Sequence, residues 1–541
     1  MIVLQIAFYV MVLAELRNTP YFHIINTVLI ALSAFAVLWI VSSRSNPGYK
    51  MGWIIIVLLF LPFGVVAYLL LGGNRLSRYN QRRLRSMERT VRANLGPECG
   101  RWEHLCTLAG EDAGCMARYL EKNASCPVYG NTATRFYPLG DDCYEDILSA
   151  LRGARRYIFI EYFIIAEGKL WGSVLKILKE KAAQGVEVRV IYDDVGSIFT
   201  LPASYPATLE KAGIQCRVFN RMVPVLSLRQ NNRDHRKYMI VDGTVAFTGG
   251  INMADEYINI KPRFGHWKDC AIRLEGDAVW SMTVSFLSMW DFTRNADEDL
   301  ARYRPMQTAP AAPGYVQPYH DCPWDTEPVG QMVYLNLINR AKRYVYITTP
   351  YLVIDSAVST ALALAAKSGV DVRIITPHIP DKKTVFEVTQ AYYPELLDSG
   401  VKIYEYAPGF IHGKLFVVDD YFATVGTVNL DYRSMFLHFE NGVLLWYEGD
   451  TFDITILLEL EDQDGAAVEI GKSDTVKMTF YNAEKETVHE MNFSNITNGK
   501  ITLEFTDEVS AKFPKGKYTY DARLTHNNMT TLVRGNRICV E

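Results

Sequence analysis

Apolar side chains fall along this chain in three regimes. Near the N-terminus they are unbroken: Ile24–Val41 and Trp53–Leu71 carry no charged residue. Runs of this length approach the ~20 residues that cross ~30 Å of hydrocarbon, and they predict two transmembrane helices, at about residues 24–42 and 52–72 of an N-terminal anchor, 1–74. An earlier stretch, Ile2–Leu13, is short and interrupted by Gln5; it fits a partial span, an interfacial helix or the remnant of a longer N-terminus. A cleaved signal peptide fits poorly, because two such runs follow in succession. In the middle of the chain strand-like and helix-like periods alternate. There Val279, Met282, Phe286 and Met289 recur at helical spacing within Ala278–Phe292 and predict an amphipathic core helix. From 448 to 541 the period drops to two, as in Ile454, Ile456, Leu458, Leu460 and in Tyr518, Tyr520, Ala522, Leu524, with turn signals at Asp464-Gly465, Asn498-Gly499 and Lys515-Gly516. That end predicts an antiparallel β-sandwich of about seven strands.

The middle region is written twice. Ala154-Arg-Arg-Tyr-Ile-Phe-Ile160 aligns with Ala341-Lys-Arg-Tyr-Val-Tyr-Ile347, and Gly185-Val-Glu-Val-Arg-Val-Ile191 with Gly369-Val-Asp-Val-Arg-Ile-Ile375. Each copy then carries His-x-Lys-x4-Asp, as His235, Lys237, Asp242 and as His412, Lys414, Asp419. Gly249 and Gly426 follow at one shared offset, Asn252 and Asn429 at another. The duplication predicts a first half over 131–304 and a second over 305–447, with a basic helical connector, 75–130, before them. A Pro- and Ala-rich hinge, Pro305–Pro313, separates the halves.

One such triplet alone is usually a surface turn or a strand end, whereas two in register imply a single site built from two half-sites. A neutral imidazole is nucleophilic near neutral pH, and its conjugate acid can give up a proton. One histidine would attack a phosphodiester to form a phospho-histidine, while the other protonates the leaving alcohol and deprotonates the incoming one. Lys237 and Lys414 would hold non-bridging phosphate oxygens, and Asn252 and Asn429 would add neutral donors. The scheme calls for no metal or cofactor. Tyr238–Val241 and Leu415–Val418 read as short buried strands, so each His and Lys, two apart, share a strand face. Asp242 and Asp419 belong to the catalytic triplets but lie beyond the buried runs, where a turn-forming or supporting role suits them better than direct catalysis.

A net charge of −4 excludes a generally basic nucleic-acid-binding protein. Charge is instead local. Arg75, Arg78, Arg82, Arg83, Arg85, Arg89 and Arg92 follow the second apolar run, against only Arg44 and Lys50 between the runs. The positive-inside bias then places the catalytic part in the cytoplasm, and the arginines beside a membrane would attract anionic lipid headgroups. The tail, 448–541, has 17 acidic against 10 basic residues, which argues against membrane or nucleic-acid binding there. Nine cysteines without a Cys-x-x-Cys signal neither a zinc site nor a disulfide framework, and reduced thiols are expected.

The paired triplets resemble the phospholipase D superfamily, and Asn231-Asn-Arg-Asp-His-Arg-Lys237, Ala246–Tyr257, His266-Trp-Lys-Asp269, Gly314–Tyr319, Asn429–Ser434 and His438-Phe-Glu-Asn441 are similar to segments of bacterial cardiolipin synthases, as is Asn46-Pro-Gly-Tyr-Lys50. The resemblance covers about residues 1–447. It implies an α/β fold in which two pseudo-symmetric halves form a duplicated α/β/α sandwich, and condensation of two phosphatidylglycerol molecules to cardiolipin and glycerol at the bacterial inner membrane. It further implies that Asp269 and Glu440 each orient one imidazole, expected to be that of the opposite half, with His235 as nucleophile and His412 as acid and base. The pattern departs after Trp446: no closing helix matches Ala278–Phe292, so the second half reads as truncated. Phe513–Asp521 resembles the last hairpin of Ig-like domains in phage tail and baseplate proteins, which implies a separate partner for the β-rich tail. Two other functions stay open at this point. One is a hydrolytic phosphodiesterase or nuclease of the same superfamily, opposed by the apolar runs. The other is a non-catalytic membrane-tethered binding protein, opposed by retention of both triplets and both asparagines.

Overall fold

The structure is a computed structural model that describes residues 22–446, apart from 44–45, 61–62, 73–77, 96–100, 224–227, 295, 297, 306–311 and 313, and the strands lying between Asp453 and Val540. The chain divides into two compact units, Met1–Tyr447 and Glu448–Glu541. The hinge expected at Pro305–Pro313 and the apolar stretch Ile2–Leu13 lie largely or wholly outside the described residues.

Duplication in the sequence becomes duplication of a sheet. In the first half the strand order is Thr132–Tyr137, Ala271–Gly276, Val245–Gly249, Tyr238–Val241, Tyr157–Tyr162, Glu187–Asp193, Gln215–Phe219. The second repeats it as Tyr315–Asp321, His438–Trp446, Phe422–Gly426, Leu415–Val418, Tyr344–Thr348, Asp371–Pro377, Lys402–Tyr406. In each sheet the last three strands run parallel and the motif strand pairs antiparallel to the first of them. Helices such as Gly140–Gly153 and Lys169–Ala183 bury Ile147, Leu151, Trp171 and Val174 against one face of the first sheet. Covered on both faces, Tyr157–Tyr162 is buried at every position, which is why it reads as a continuous apolar run around one acid, Glu161.

The helices outside the halves are α1 (Phe22–Ser42), α2 (Pro47–Leu59), α3 (Phe63–Leu71), α4 (Arg78–Asn94) and α5 (Arg101–Ala124). The helix expected at Ala278–Phe292 forms as α6 (Val279–Arg294), but it is buried all round from Val279 to Asp291 rather than on one face. Phe286 stacks on Phe159 of the first sheet, ring centroids 4.7 Å apart, and Leu84, Val91 and Leu95 of the arginine-rich segment join the same core from outside. The arginine-rich α4 therefore covers α6, whereas α5 packs Leu105, Met116 and Leu120 into the core of the second half.

No helix stands in that place on the second sheet among the described residues. Tyr344, Tyr346, Arg373 and Ile375, which repeat Tyr157, Phe159, Arg189 and Ile191, are only partly buried. The side chain of Arg373 is 43% exposed against 2% for Arg189. Each Å² of apolar surface left uncovered forgoes ~25 cal/mol.

The membrane segment departs from the expectation. The second expected span, 52–72, is broken into α2 and α3, of 13 and 9 residues. Pro62 lies at the break, and proline has no amide hydrogen to continue a helix and disfavours helical geometry in the residue before it. Among the described residues no helix is long and apolar enough to cross a membrane.

Among the described residues the C-terminal unit is all strand, and the pairings there are antiparallel. Thr487–Phe493, Thr475–Tyr481, Gly516–His526 and Met529–Arg534 form one sheet in that order, and Ile538–Val540 pairs with the start of Gly516–His526. Val476, Met478 and Phe480 alternate inward, as the period of two requires. The turns expected at Asp464-Gly465 and Asn498-Gly499 lie outside the described residues.

Asp242 and Asp419 stand in the turns that follow the two motif strands. Asp242 accepts hydrogen bonds from the backbone amides of Arg155, Arg156 and Tyr157 at 2.7–2.9 Å; Asp419 accepts from those of Lys342, Arg343 and Tyr344 at 2.6–2.9 Å. Both adopt a φ of +54°, and each fastens the turn after a motif strand to the start of the neighbouring strand. Asp242→Ala orphans three amides, so thermal or urea unfolding of the purified chain should show a loss of ~1–3 kcal/mol. An unchanged midpoint would contradict this anchoring role.

Candidate active site

The two motifs meet where the halves dock. The first half's Arg233-Asp234 pairs in parallel with His438-Phe439 of the second, and Gly409–Ile411 pairs in parallel with His266–Lys268. Each motif histidine is pinned by the opposite half: His235 N–H donates to Phe439 O at 2.9 Å, and His412 N–H to Lys268 O at 2.6 Å. Lys237 N–H donates to Asn441 Oδ1 at 3.1 Å, while Asn441 Nδ2 donates back to Thr248 Oγ1 at 2.8 Å. Neither half alone completes either histidine's surroundings.

The imidazoles are oriented across the same seam. His235 Nδ1 lies 2.9 and 3.0 Å from the two oxygens of Glu440, and His412 Nδ1 lies 2.7 Å from Asp269 Oδ2. A carboxylate accepts only, so each Nδ1 carries the proton and each Nε2 is left with its lone pair. Thr427 Oγ1 donates to Glu440 Oε2 and fixes the acid in turn. Around His412, Tyr257 and Trp267 stand with ring centroids 5.4 and 5.6 Å away.

Burial sets the charges. His235 and His412 are 6% and 7% exposed. Desolvation holds His235 well below its ordinary value despite Glu440, and desolvation with the nearby Lys414 brings His412 to about 4. Both imidazoles are therefore neutral at pH 7. Desolvation also lowers the ammonium groups, Lys237 to about 7 and Lys414 to about 8. Lys237 Nζ donates to His235 O at 2.7 Å, and Lys414 Nζ to His412 O. Burial alone would raise the two acids, but their imidazole partners outweigh it and keep Glu440 and Asp269 below the usual carboxylate range.

The asparagines differ from one another. Both ends of the Asn252 amide meet protein: Oδ1 accepts from Ile164 N–H at 3.1 Å and Nδ2 donates one hydrogen to Tyr257 Oη at 2.7 Å. It braces Tyr257, whose ring stands beside His412. Asn429 is buried with Oδ1 unpartnered, so its amide is the freer of the two.

One residue of the site carried no expected role. His438 is buried, its Nδ1 lies 3.4 Å from Glu440 Oε1, and its ring centroid is 5.5 Å from that of His235. Its position two residues before Glu440 on one strand, hence on the same face, was the available signal. His235, His438 and Glu440 are the only side chains among the described residues grouped closely enough to ligate a metal ion, their ligand atoms within 4.8 Å of one another.

The family model described as cardiolipin synthase, phospholipase D-like domain, matches residues 147–261 and 334–456. The phospholipase D-nuclease N-terminal model matches 31–73. A cardiolipin synthase of Halalkalibacterium halodurans is 34% identical over 74% of this chain and 80% of its own length. Cardiolipin synthase 2 of Bacillus anthracis is 35% identical over 76% and 80%. Among solved structures, the phosphatidylserine synthase of Haemophilus influenzae aligns over 62% of this chain and 87% of its own with a TM-score of 0.46 and 15% identity.

Proposed function

As a member of the cardiolipin synthases of the phospholipase D superfamily, this chain is a phosphatidyltransferase, and we propose how its residues divide the reaction. The observation that carries the scheme is the cross-half pairing of each Nδ1–H with a buried carboxylate, which leaves two neutral Nε2 atoms for one phosphodiester.

His235 Nε2 attacks the phosphorus of a first phosphatidylglycerol; the P–N bond forms as the P–O bond to glycerol breaks. His412, protonated at Nε2 once the anionic substrate has entered, gives that proton to the leaving glycerol oxygen. A second phosphatidylglycerol then presents its terminal hydroxyl. His412 takes the proton, the oxygen attacks phosphorus, and the P–N bond breaks to release cardiolipin and restore His235. Lys237, Lys414 and the Asn429 amide hold the non-bridging oxygens. No step requires a metal.

The family implies membrane association. We place the apolar segment 22–71 in the lipid of a bacterial inner membrane, with the catalytic body on the cytoplasmic side and α4 against anionic headgroups. The C-terminal unit we read as an Ig-like domain with a partner of its own, on the likeness of Phe513–Asp521.

Conversion of labelled phosphatidylglycerol by the full chain in detergent or membranes, with cardiolipin, phosphatidic acid and glycerol separated, tests this scheme. Cardiolipin with stoichiometric glycerol is expected. His235→Ala and His412→Ala should each abolish transfer without impairing membrane insertion, and substantial activity in either variant rules out the shared site. Glu440→Gln should cost ~10²-fold or more in kcat, since general acid–base assistance of this kind is worth ~10²–10⁴-fold.

The pH dependence has a definite sign. A lysine whose value is lowered to about 7 or 8 is cationic below that pH and neutral above it, so the free site loses its hold on phosphate as pH rises. The ratio kcat/KM, which reports free-enzyme groups, should fall between pH 7 and 9. A profile flat to pH 10 would mean that the lysines keep ordinary values.

A further inference from the structure

α2 and α3 are antiparallel partners. Tyr49 O–H, in the first turn of α2, donates to Gly72 O, just beyond α3, at 2.8 Å. Trp53 and Tyr68 meet edge to face with ring centroids 5.4 Å apart. Near the other end the backbones touch, because a Cβ on Gly64 would collide with Ile56 O and Val57 Cα. The two helices thus lie side by side, with Tyr49 and Gly72 together at the open end and the C-terminal end of α2 beside the start of α3 at the tip.

At 1.5 Å per residue α2 is only ~20 Å long and α3 ~14 Å, against ~30 Å of hydrocarbon. Trp53 and Val57 are buried between helices, whereas Met51, Ile55, Leu59, Phe63, Val66 and Leu69 are more than half exposed. No charged residue occurs from Met51 to Asn74. Irregular backbone at depth must satisfy its own polar groups, and at the tip Phe60 N–H pairs with Ile56 O and Gly64 N–H with Phe60 O. The base is polar: Asn46 Oδ1 accepts from Gly48 N–H at 2.9 Å, and Lys50 Nζ donates to Val41 O at 2.9 Å. A Cβ on Gly48 would sit 3.0 Å from Tyr432 O–H, at the start of the helix Tyr432–Phe436 that follows Asn429.

We propose that residues 47–72 are a re-entrant hairpin that dips into the acyl chains of a single phospholipid leaflet, the one facing the catalytic body, and returns without crossing the bilayer. Its base then seats the active site at headgroup level, beside Asn429. This consequence rests on the phosphatidyl-transfer reading; the topology does not. Lys50 falls on the same side of the membrane as the arginines of α4, whereas a crossing helix over 52–72 would separate them. Basic residues on both flanks of the hairpin then meet one anionic surface.

The test uses the full chain in bacterial membranes. Ser43→Cys, before the hairpin, and Gln81→Cys, after it, are each treated with a membrane-impermeant maleimide in spheroplasts and in inside-out vesicles. Mass spectrometry of the labelled peptide separates each new thiol from the native ones. Both positions should react only in inside-out vesicles. Reaction of position 43 only in spheroplasts while 81 reacts only in inside-out vesicles would overturn the hairpin, as would a position 43 that reacts only after detergent. Phosphatidylglycerol turnover is read on the same membranes. Same-side labelling without turnover would defeat the catalytic reading and spare the hairpin; opposite-side labelling with turnover would do the reverse.

Discussion

Everything in the catalytic unit turns on the exchange of support between the halves. His235 and His412 each take a backbone acceptor and a carboxylate from the other half. The exchange extends through Asn441, which accepts from Lys237 N–H and donates to Thr248, and through Asn232 Nδ2, which donates to Leu437 O at 2.9 Å. Hydrogen bonds of this kind contribute little net stability each, but leaving one unmade inside costs the full desolvation of the orphaned group. The docked arrangement is accordingly all or nothing. Buried charges beside the seam follow the same logic: Arg233 bonds Asp193, and Arg236 pairs with Asp234 and Glu161, each cation neutralised where water is excluded.

The parts of this design that a sequence can display are those that repeat. The two triplets, the strands bearing them and the order of elements in each half recur at matching intervals, so the pseudo-symmetric α/β body and its paired histidines and lysines were legible before any coordinates. Roles set by what a side chain meets across space were less so. The place of Asp242 and Asp419 beyond the buried runs suggested a turn role, but not the three backbone amides from which each accepts. Asn252 matches Asn429 by offset, yet Tyr257 claims its amide, and the second half offers no such partner in that register. α6 appeared one-sided because α4, far away in sequence, supplies its outer cover.

The membrane segment shows the same limit at larger scale. Hydropathy records the absence of charge from 51 to 74 but not the direction of the chain. Direction is decided by small local facts: a proline near the middle, a glycine that lets two helices touch, and Tyr49 closing the open end. A run long enough to span can therefore be two short helices. The second sheet makes the complementary point, for the alternation that buries Arg189 under α6 is present at Arg373 with no helix among the described residues to complete it. Pattern specifies which face is apolar; only tertiary structure supplies its cover.

The charge balance of the site explains why both imidazoles rest neutral although one must serve as an acid. Two buried carboxylates face two buried lysines, Lys414 mostly cationic at pH 7 and Lys237 near its midpoint. An added proton on either imidazole would be an unpaired charge in a poorly solvated place, which is why both values are low. In the scheme proposed above, a phosphodiester brings one negative charge to the same place, and a proton on His412 then compensates it. In that proposed scheme the acid is thus created by the substrate, and it forms only where the phosphorus already lies within reach of His235. Glu440 and Asp269, held ionised by their imidazoles, make this workable: they fix both tautomers beforehand, so binding changes one proton and reorients nothing.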